Sequence, residues 1–150
     1  MKLPQRKSPR LRDYDYSSAR TYFVTICTNG KTKLFGTVET LNTYGCIAET
    51  ELLALEQNFQ GVRVDRYVVM PNHIHALIRI EGDNQNQSLS SVVGSYKSAV
   101  SRKIHTISPN VSVWQKSYYD HVIRTEESYL NIWKYIDENP IRWENDEYYL

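Results

Sequence analysis

The chain has 150 residues, of which 41% are hydrophobic and 12 are Tyr, and its formal net charge is +1. At roughly 150 residues per domain, this length predicts a single domain over residues 1–150. The nearly neutral charge excludes a generic polycation, so any contact with nucleic acid would come from local patches. No apolar run reaches the ~18–20 residues of a membrane helix, and residues 1–12 lack the apolar core of a signal peptide. We therefore expect a cytoplasmic protein with no membrane partner.

The first half of the chain reads as strand, helix, strand, strand. Residues 20–28 are rich in aromatic and β-branched types and end at a turn signal, Asn29-Gly30. Apolar residues then recur at helical spacing over about 44–59, which predicts a first helix. The runs 62–70 and 73–80 are separated by Pro71-Asn72 and predict a hairpin of two strands.

The second half reads as helix, strand, helix. Apolar spacing predicts a helix over about 89–105, and residues 111–124 read as one extended segment. Thr125 is a suitable N-cap for a third helix, which ends shortly before Pro140. The order favours an α+β fold in which helices cover a mainly antiparallel sheet. Cys27 and Cys46 have no CxxC spacing, so neither a disulfide framework nor a zinc site is indicated, and both are expected to be buried.

Basic residues are concentrated in two regions. An N-terminal arm of about 1–19 has five basic side chains and no acidic one within residues 1–12, with Arg10 and Arg12 among them. Residues 84–119 contain no Asp or Glu and interleave basic with aromatic residues, which suits single-stranded nucleic acid. Besides the arm, the candidate phosphate contacts are Lys97, Arg102, Lys103 and Lys116. Ordinary surface solvation explains the same residues equally well.

Two of the four His residues, His73 and His75, lie on the second strand of the predicted hairpin. Because side chains alternate along a strand, both imidazoles lie on the face shared with Leu77 and Arg79. Two imidazoles at i and i+2 can bind one divalent metal ion through one ring nitrogen each. Spacing alone also fits two strand histidines that are hydrogen bonded to their neighbours.

The predicted third helix carries a phenol and an amide at i and i+4. At about 100° per residue, Tyr135 and Asn139 lie about 40° apart on one flank of this helix. The buried stripe beside them consists of Tyr129, Ile132, Trp133 and Ile136. A helix packed on the sheet would bring the pair to the histidine face, whereas Tyr135 alone also fits a residue at the edge of a core.

Four segments together resemble a known family. They are YFVTICT in the first strand, MPNHIH, WQKSYYDHVIR, and YIDENP at the end of the last helix. This combination, from about Tyr22 to Arg142, resembles the HUH single-tyrosine transposases. The REP-associated tyrosine transposase branch fits best, because Asn139 followed by Pro140 replaces the Gln of the related IS200/IS605 insertion-sequence transposases.

The resemblance implies a fold, a reaction and a set of residues. The fold would be the ferredoxin-like or RRM-like HUH nuclease fold, and Tyr135 would be the nucleophile that forms a 5′-phosphotyrosine. His73, His75 and Asn139 would bind Mg²⁺ or Mn²⁺. The substrate would be a single-stranded DNA hairpin or palindromic repeat, and the protein would be a monomer or a homodimer. His121 also matches a family position and would support the site from outside it or act structurally.

Two other functions remain open from the sequence. In a metal-dependent hydrolytic nuclease, water would attack the phosphate and Tyr135 would only pack. A non-catalytic RRM-like nucleic-acid-binding module would stack bases on exposed aromatic residues of its sheet, although no segment matches the usual aromatic pattern. The nucleophile also has alternatives, because Tyr118 or Tyr119 could reach the metal if the preceding strand abuts it.

Overall fold

A computed structural model describes residues 20–81 and 87–145. Within these residues, four strands form one antiparallel sheet in the order β2, β3, β1, β4. The elements in chain order are β1 (Arg20–Cys27), α1 (Thr43–Leu53), α2 (Leu55–Asn58), β2 (Val62–Met70), β3 (His73–Ile80), α3 (Leu89–Ile107), β4 (Tyr119–Ile123) and α4 (Glu126–Glu138). The predicted N-terminal arm, with Arg10 and Arg12, lies outside the described residues.

Helices cover both faces of the sheet. One face, which includes Val24 and Ile74, packs against α1 and α3 in the larger apolar core. On the other face, Tyr129, Trp133 and Ile136 of α4 pack with Leu77 and Ile123. Side chains alternate along β3 as predicted, so the two histidines face α4. The predicted α+β fold with a helix-covered antiparallel sheet is confirmed.

A short connection from β4 fixes the start of α4. Arg124 and Thr125 alone separate the last residue of β4 from the first residue of α4. The Thr125 hydroxyl accepts a hydrogen bond from the Ser128 backbone N–H at 3.1 Å, which confirms the predicted N-cap. Because Glu126 and Glu127 lie in the first turn, their charges also favour the helix dipole.

Two predicted elements differ from the structure. The helix predicted over 44–59 is interrupted at Ala54, so that α1 and α2 are separate helices. The extended segment predicted over 111–124 contains a regular strand only at Tyr119–Ile123. Its earlier part is held by isolated bonds to the end of β1, such as Gln115 N–H to the Cys27 carbonyl at 2.9 Å. This earlier part does not show the alternation of a regular strand, and its Trp114 packs against Phe35.

The expectation that both cysteines are buried was wrong for one of them. Cys27 is buried on β1, whereas Cys46 is exposed. Cys46 lies on α1 next to Gly45, and the buried side of this helix consists of Gly45, Ala48, Glu51 and Leu52. A helix presents only one side to the core, so a cysteine on its other side remains in solvent.

Candidate active site

The middle of the sheet positions the two histidines. On β3, His73 pairs with Cys27 and His75 pairs with Thr25 of β1, while β2 flanks the same residues on the other side. Both imidazoles are buried, with 0% and 1% of their surface exposed. Their ring centroids are 4.6 Å apart, as expected for neighbours at i and i+2 on one strand face.

Hydrogen bonds fix which ring nitrogen of each histidine faces the site. His73 Nδ1 donates to the side-chain oxygen of Asn72 at 2.8 Å, and the amide nitrogen of Asn72 donates to the Lys31 carbonyl. His75 Nδ1 is hydrogen bonded to the Thr25 hydroxyl at 2.8 Å. Bonds of this kind orient metal-binding imidazoles in proteins, because they leave Nε2 as the ligand atom. Both Nε2 atoms are buried.

Burial keeps both imidazoles neutral at physiological pH. Loss of solvent lowers the pKa of His73 to about 4; the amide of Asn139 acts in the raising direction and the Lys31 charge in the lowering direction. Burial, followed by the proximity of His73, lowers the pKa of His75 well below its ordinary value. A neutral imidazole has the nitrogen lone pair that a metal ion requires.

Helix α4 brings the phenol and the amide to these histidines. The Tyr135 ring centroid lies 5.4 Å from that of His75 and 6.0 Å from that of Phe23, and 39% of the Tyr135 surface is exposed. Asn139 is 3% exposed, and its amide lies close enough to His73 to affect the pKa of that residue. One chain therefore contributes all four predicted site residues.

The donor set fits a divalent metal ion. The side-chain oxygen of Asn139 is buried, and the amide of this residue interacts with His73. Two neutral imidazoles and an amide oxygen leave about three positions of an octahedral ion for water or phosphate. Among the described residues, no group of three or more His, Cys, Asp and Glu side chains is arranged to hold a metal. The amide is therefore the third donor available at the two histidines.

A cavity of about 820 Å³ opens beside this group, between β1, β4 and α4. Its lining includes His75 and Tyr135, so the phenol faces space that a substrate can occupy. Strand β4 contributes Tyr119 and His121, both exposed, to the lining of the cavity. The cavity lining also includes the polar residues Gln115, Asp120 and Asn131.

The other tyrosines differ in their access to the cavity. Tyr129 of α4 is buried between the helix and the sheet, and its hydroxyl donates to Asp65 at 2.8 Å. Tyr118 packs against the larger core on the other side of the sheet, and burial raises its pKa. Tyr119 is 58% exposed and lines the cavity, so it is the alternative nucleophile that the geometry retains.

The candidate phosphate contacts have different surroundings. The Lys97 ammonium donates to the backbone carbonyls of Gln115 and Ser117 at 2.9 and 3.4 Å, and burial lowers its pKa. Lys103 pairs with Glu51 across α1 and α3. Arg102 and Lys116 are exposed. Lys97 therefore stabilises the segment before β4. Contact of these four residues with DNA stays a prediction.

Sequence reasoning missed a basic residue close to the histidines. Lys31 lines the cavity, and its charge is close enough to His73 to lower the pKa of that imidazole. It follows the Asn29-Gly30 turn, where Gly30 and Lys31 both have positive φ angles, of 65° and 55°. The position of Lys31 directly after the turn could have indicated its place near the site. The turn follows the end of β1, where Cys27 pairs with His73.

Comparisons with known proteins show the family of this chain. The model of a family described as IS200-like transposases matches residues 17–139. An uncharacterised protein of Haemophilus influenzae is 35% identical over 171 aligned positions, which span 99% of this chain and 95% of the relative. The chain therefore belongs to the IS200-like transposase family, and the predicted single-tyrosine transposase family is confirmed. Membership places it among DNA-cleaving transposases.

Two solved structures share the fold. A REP-associated tyrosine transposase bound to a REP hairpin has a TM-score of 0.68 at 19% identity, covering 89% of this chain and 74% of the other. A Deinococcus radiodurans R1 structure assigned as a transposase has a TM-score of 0.57 at 18% identity, covering 85% of this chain and 94% of the other. Within the described residues, no helix is long and apolar enough to cross a membrane.

Proposed function

We propose that this protein cleaves and rejoins single-stranded DNA through a covalent link to Tyr135, assisted by a divalent metal ion. The observation that carries the proposal is the placement of Tyr135 beside His75 while Asn139 lies beside His73. His73, His75 and Asn139 would hold Mg²⁺ or Mn²⁺, which supplies Lewis acidity toward a phosphate oxygen when bound.

The covalent step exchanges one phosphoester for another. The Tyr135 oxygen attacks the scissile phosphorus, the bond from phosphorus to the 3′ oxygen breaks, and the DNA keeps a free 3′-OH. The phenol proton leaves to solvent, and the departing 3′ oxygen gains a proton. Attack of a 3′-OH on the 5′-phosphotyrosine reverses the step and rejoins the strand. Because one ester replaces another, no external energy source is needed.

The residues around the cavity would bind and orient the strand. Tyr119 and His121 can stack on unpaired bases, and Lys31 lies where it can contact the phosphate near Tyr135. Further phosphate contacts are proposed for the basic arm with Arg10 and Arg12, and for Lys97, Arg102, Lys103 and Lys116. The proposed substrate class is a hairpin or imperfect palindrome, as in the REP-associated branch, and the proposed location is the cytoplasm.

The decisive experiment is a search for the covalent adduct. The purified chain is incubated with a single-stranded hairpin from the DNA flanking its gene, labelled at both ends, with Mg²⁺ or Mn²⁺, and resolved on a denaturing protein gel. We expect a metal-dependent protein–DNA band that is lost in Tyr135→Phe and His73→Ala. Tyr118→Phe is the matched control, because that phenol lies on the other side of the sheet and the band should persist.

Each competing function gives a different result. Cleavage without an adduct that survives Tyr135→Phe would identify a hydrolytic nuclease. Loss of the adduct in Tyr119→Phe instead would move the nucleophile to β4. DNA binding without any cleavage would leave the RRM-like binding module.

A further inference from the structure

Strand β2 contains an irregularity directly beneath α4. In its pairing with β3, Val64 stands opposite Ile78 and Arg66 stands opposite Leu77, so Asp65 is an extra residue. In a regular strand, neighbouring side chains point to opposite faces. A β-bulge relaxes this rule and can redirect a side chain. Here both Asp65 and Arg66 reach residues of the same helix, α4.

Asp65 holds the beginning of α4. Its carboxylate is 4% exposed and accepts a hydrogen bond from the Tyr129 hydroxyl at 2.8 Å. The same carboxylate accepts a second bond from the Arg79 guanidinium at 3.1 Å. Because a buried charge requires such partners, the position of Tyr129 against the sheet is specified by a directional bond as well as by apolar packing.

Arg66 holds the end of the same helix. Its Nε donates to the Asp137 carboxylate at 2.5 Å, and its guanidinium carbon lies 5.5 Å from the centre of the Trp133 ring. Both side chains of the ion pair are largely buried, at 15% and 12% exposed. Asp137 lies midway between Tyr135 and Asn139 in sequence, so this contact is within one turn of both site residues.

The two contacts together constrain how α4 can move. Tyr129 and Asp137 are separated by about 12 Å along the helix axis at 1.5 Å per residue, so the attachments resist sliding and tilting. Asp137 lies about 160° around the axis from Tyr135. Arg66 therefore holds the flank of the helix opposite the phenol, and a rotation that withdrew Tyr135 from His75 would break the contact between Arg66 and Asp137.

We propose that the Asp65–Arg66 bulge is a positioning device for α4. It sets the rotation and the axial position of the helix, and thereby the placement of Tyr135 and Asn139 against the histidines. Arg66 and Asp65 are positioning residues, because neither lines the cavity that contains Tyr135. The inference rests on the proposed function, because the adduct and the metal site both belong to it, and the two are measured separately.

The test compares Arg66→Ala, Asp137→Ala and the double variant with the wild-type chain. The rate constant of adduct formation at saturating hairpin DNA should fall by at least about tenfold in each single variant. The double variant should be no slower than the slower single variant, because both changes remove one shared contact. The dissociation constant for Mn²⁺, measured by EPR titration, should rise in parallel, while hairpin affinity without metal should stay within about twofold.

A matched control and milder variants distinguish loss of this contact from loss of the fold. Lys134→Ala removes an exposed residue of the same helix whose ion pair with Glu138 spans 3.8 Å, and both properties should remain at the wild-type level. Asp137→Asn removes the charge of the ion pair but keeps an oxygen that can accept from Arg66, so it weakens the contact more mildly. It replaces Arg66→Ala in the test if Arg66→Ala loses its near-ultraviolet circular dichroism. Arg66→Lys retains the charge without the planar fork and should restore only part of the rate.

The outcomes separate this inference from the proposed function. Folded variants that equal the wild type in both adduct rate and Mn²⁺ affinity overturn the positioning role. A wild-type chain that binds Mn²⁺ but forms no adduct refutes the strand transfer, and the Mn²⁺ affinities of the variants then decide the positioning role alone. A wild-type chain with neither property refutes both.

Discussion

Tyr135 lies beside His75, and Asn139 lies beside His73, because α4 runs in the direction opposite to β3. The spacing of the two pairs is also matched. An i,i+4 pair on a helix is separated by about 6 Å along the axis, and an i,i+2 pair on a strand by about 6.6 Å. A single helix can therefore place a nucleophile next to one imidazole and a third donor next to the other.

Replacing the third donor should weaken metal binding while leaving the histidines in place. We expect Asn139→Ala to reduce Mn²⁺ affinity by at least about tenfold and to reduce adduct formation accordingly. Asn139→Asp restores an oxygen donor and adds charge, so its Mn²⁺ affinity should equal or exceed that of the wild type. EPR titration measures both variants, and an unchanged affinity in Asn139→Ala would remove this residue from the site.

The Thr25 hydroxyl should affect the metal through His75. Because it bonds to Nδ1 of that imidazole, Thr25→Val should lower metal affinity about 10- to 100-fold without contacting the ion. Thr25→Ser keeps the hydroxyl and should remain close to the wild type. If the Val and Ser variants bind Mn²⁺ equally well, the orientation of His75 does not depend on this bond.

Lys31 should contribute to DNA binding at the cavity. We expect Lys31→Ala to weaken hairpin binding and to reduce the slope of log affinity against log salt by about 1, as for the loss of one phosphate contact. Lys33→Ala is the matched control, since this exposed lysine does not line the cavity. Fluorescence anisotropy at several salt concentrations gives both slopes, and equal slopes for the two variants would argue against the contact.

The sequence was most informative where structure follows from local periodicity. Alternation along β3 placed His73 and His75 on one face, and the helical period placed Tyr135 and Asn139 on one flank. Both patterns depend on the geometry of a single element, which the residue types specify directly. The break at Ala54 and the irregular path of residues 111–118 have no such local signal.

Features that depend on the pairing of distant segments were beyond sequence reasoning. The extra residue at Asp65 is defined only by the register of β2 against β3, and the run VRVDRY contains no glycine or proline to mark it. The role of Thr25 similarly depends on its pairing with His75 across two strands. Such contacts become visible only when the strand order and register are known.

Acid should destabilise the metal-free fold through the buried histidines. His73 has a pKa of about 4 in the folded chain and an ordinary value of 6.5, so protons bind the unfolded chain more tightly. Its effect on stability is absent above pH 6.5 and grows as the pH falls toward 4. At pH 5 this residue alone should reduce the free energy of unfolding by about 2 kcal/mol, and the lowered pKa of His75 adds in the same direction.

Urea denaturation in EDTA at pH 7 and pH 5 measures this effect. The wild type should lose more stability between the two values than His73→Asn, in which no group titrates at that position. Comparing the two chains cancels the contribution of carboxylates elsewhere, because both chains share them. Saturating Mn²⁺ at pH 7 should raise the unfolding temperature of the wild type and leave that of His73→Asn nearly unchanged, since metal that binds only the folded state stabilises it. An equal loss of stability in both chains would show that His73 is accessible to protons in the fold, contrary to its burial.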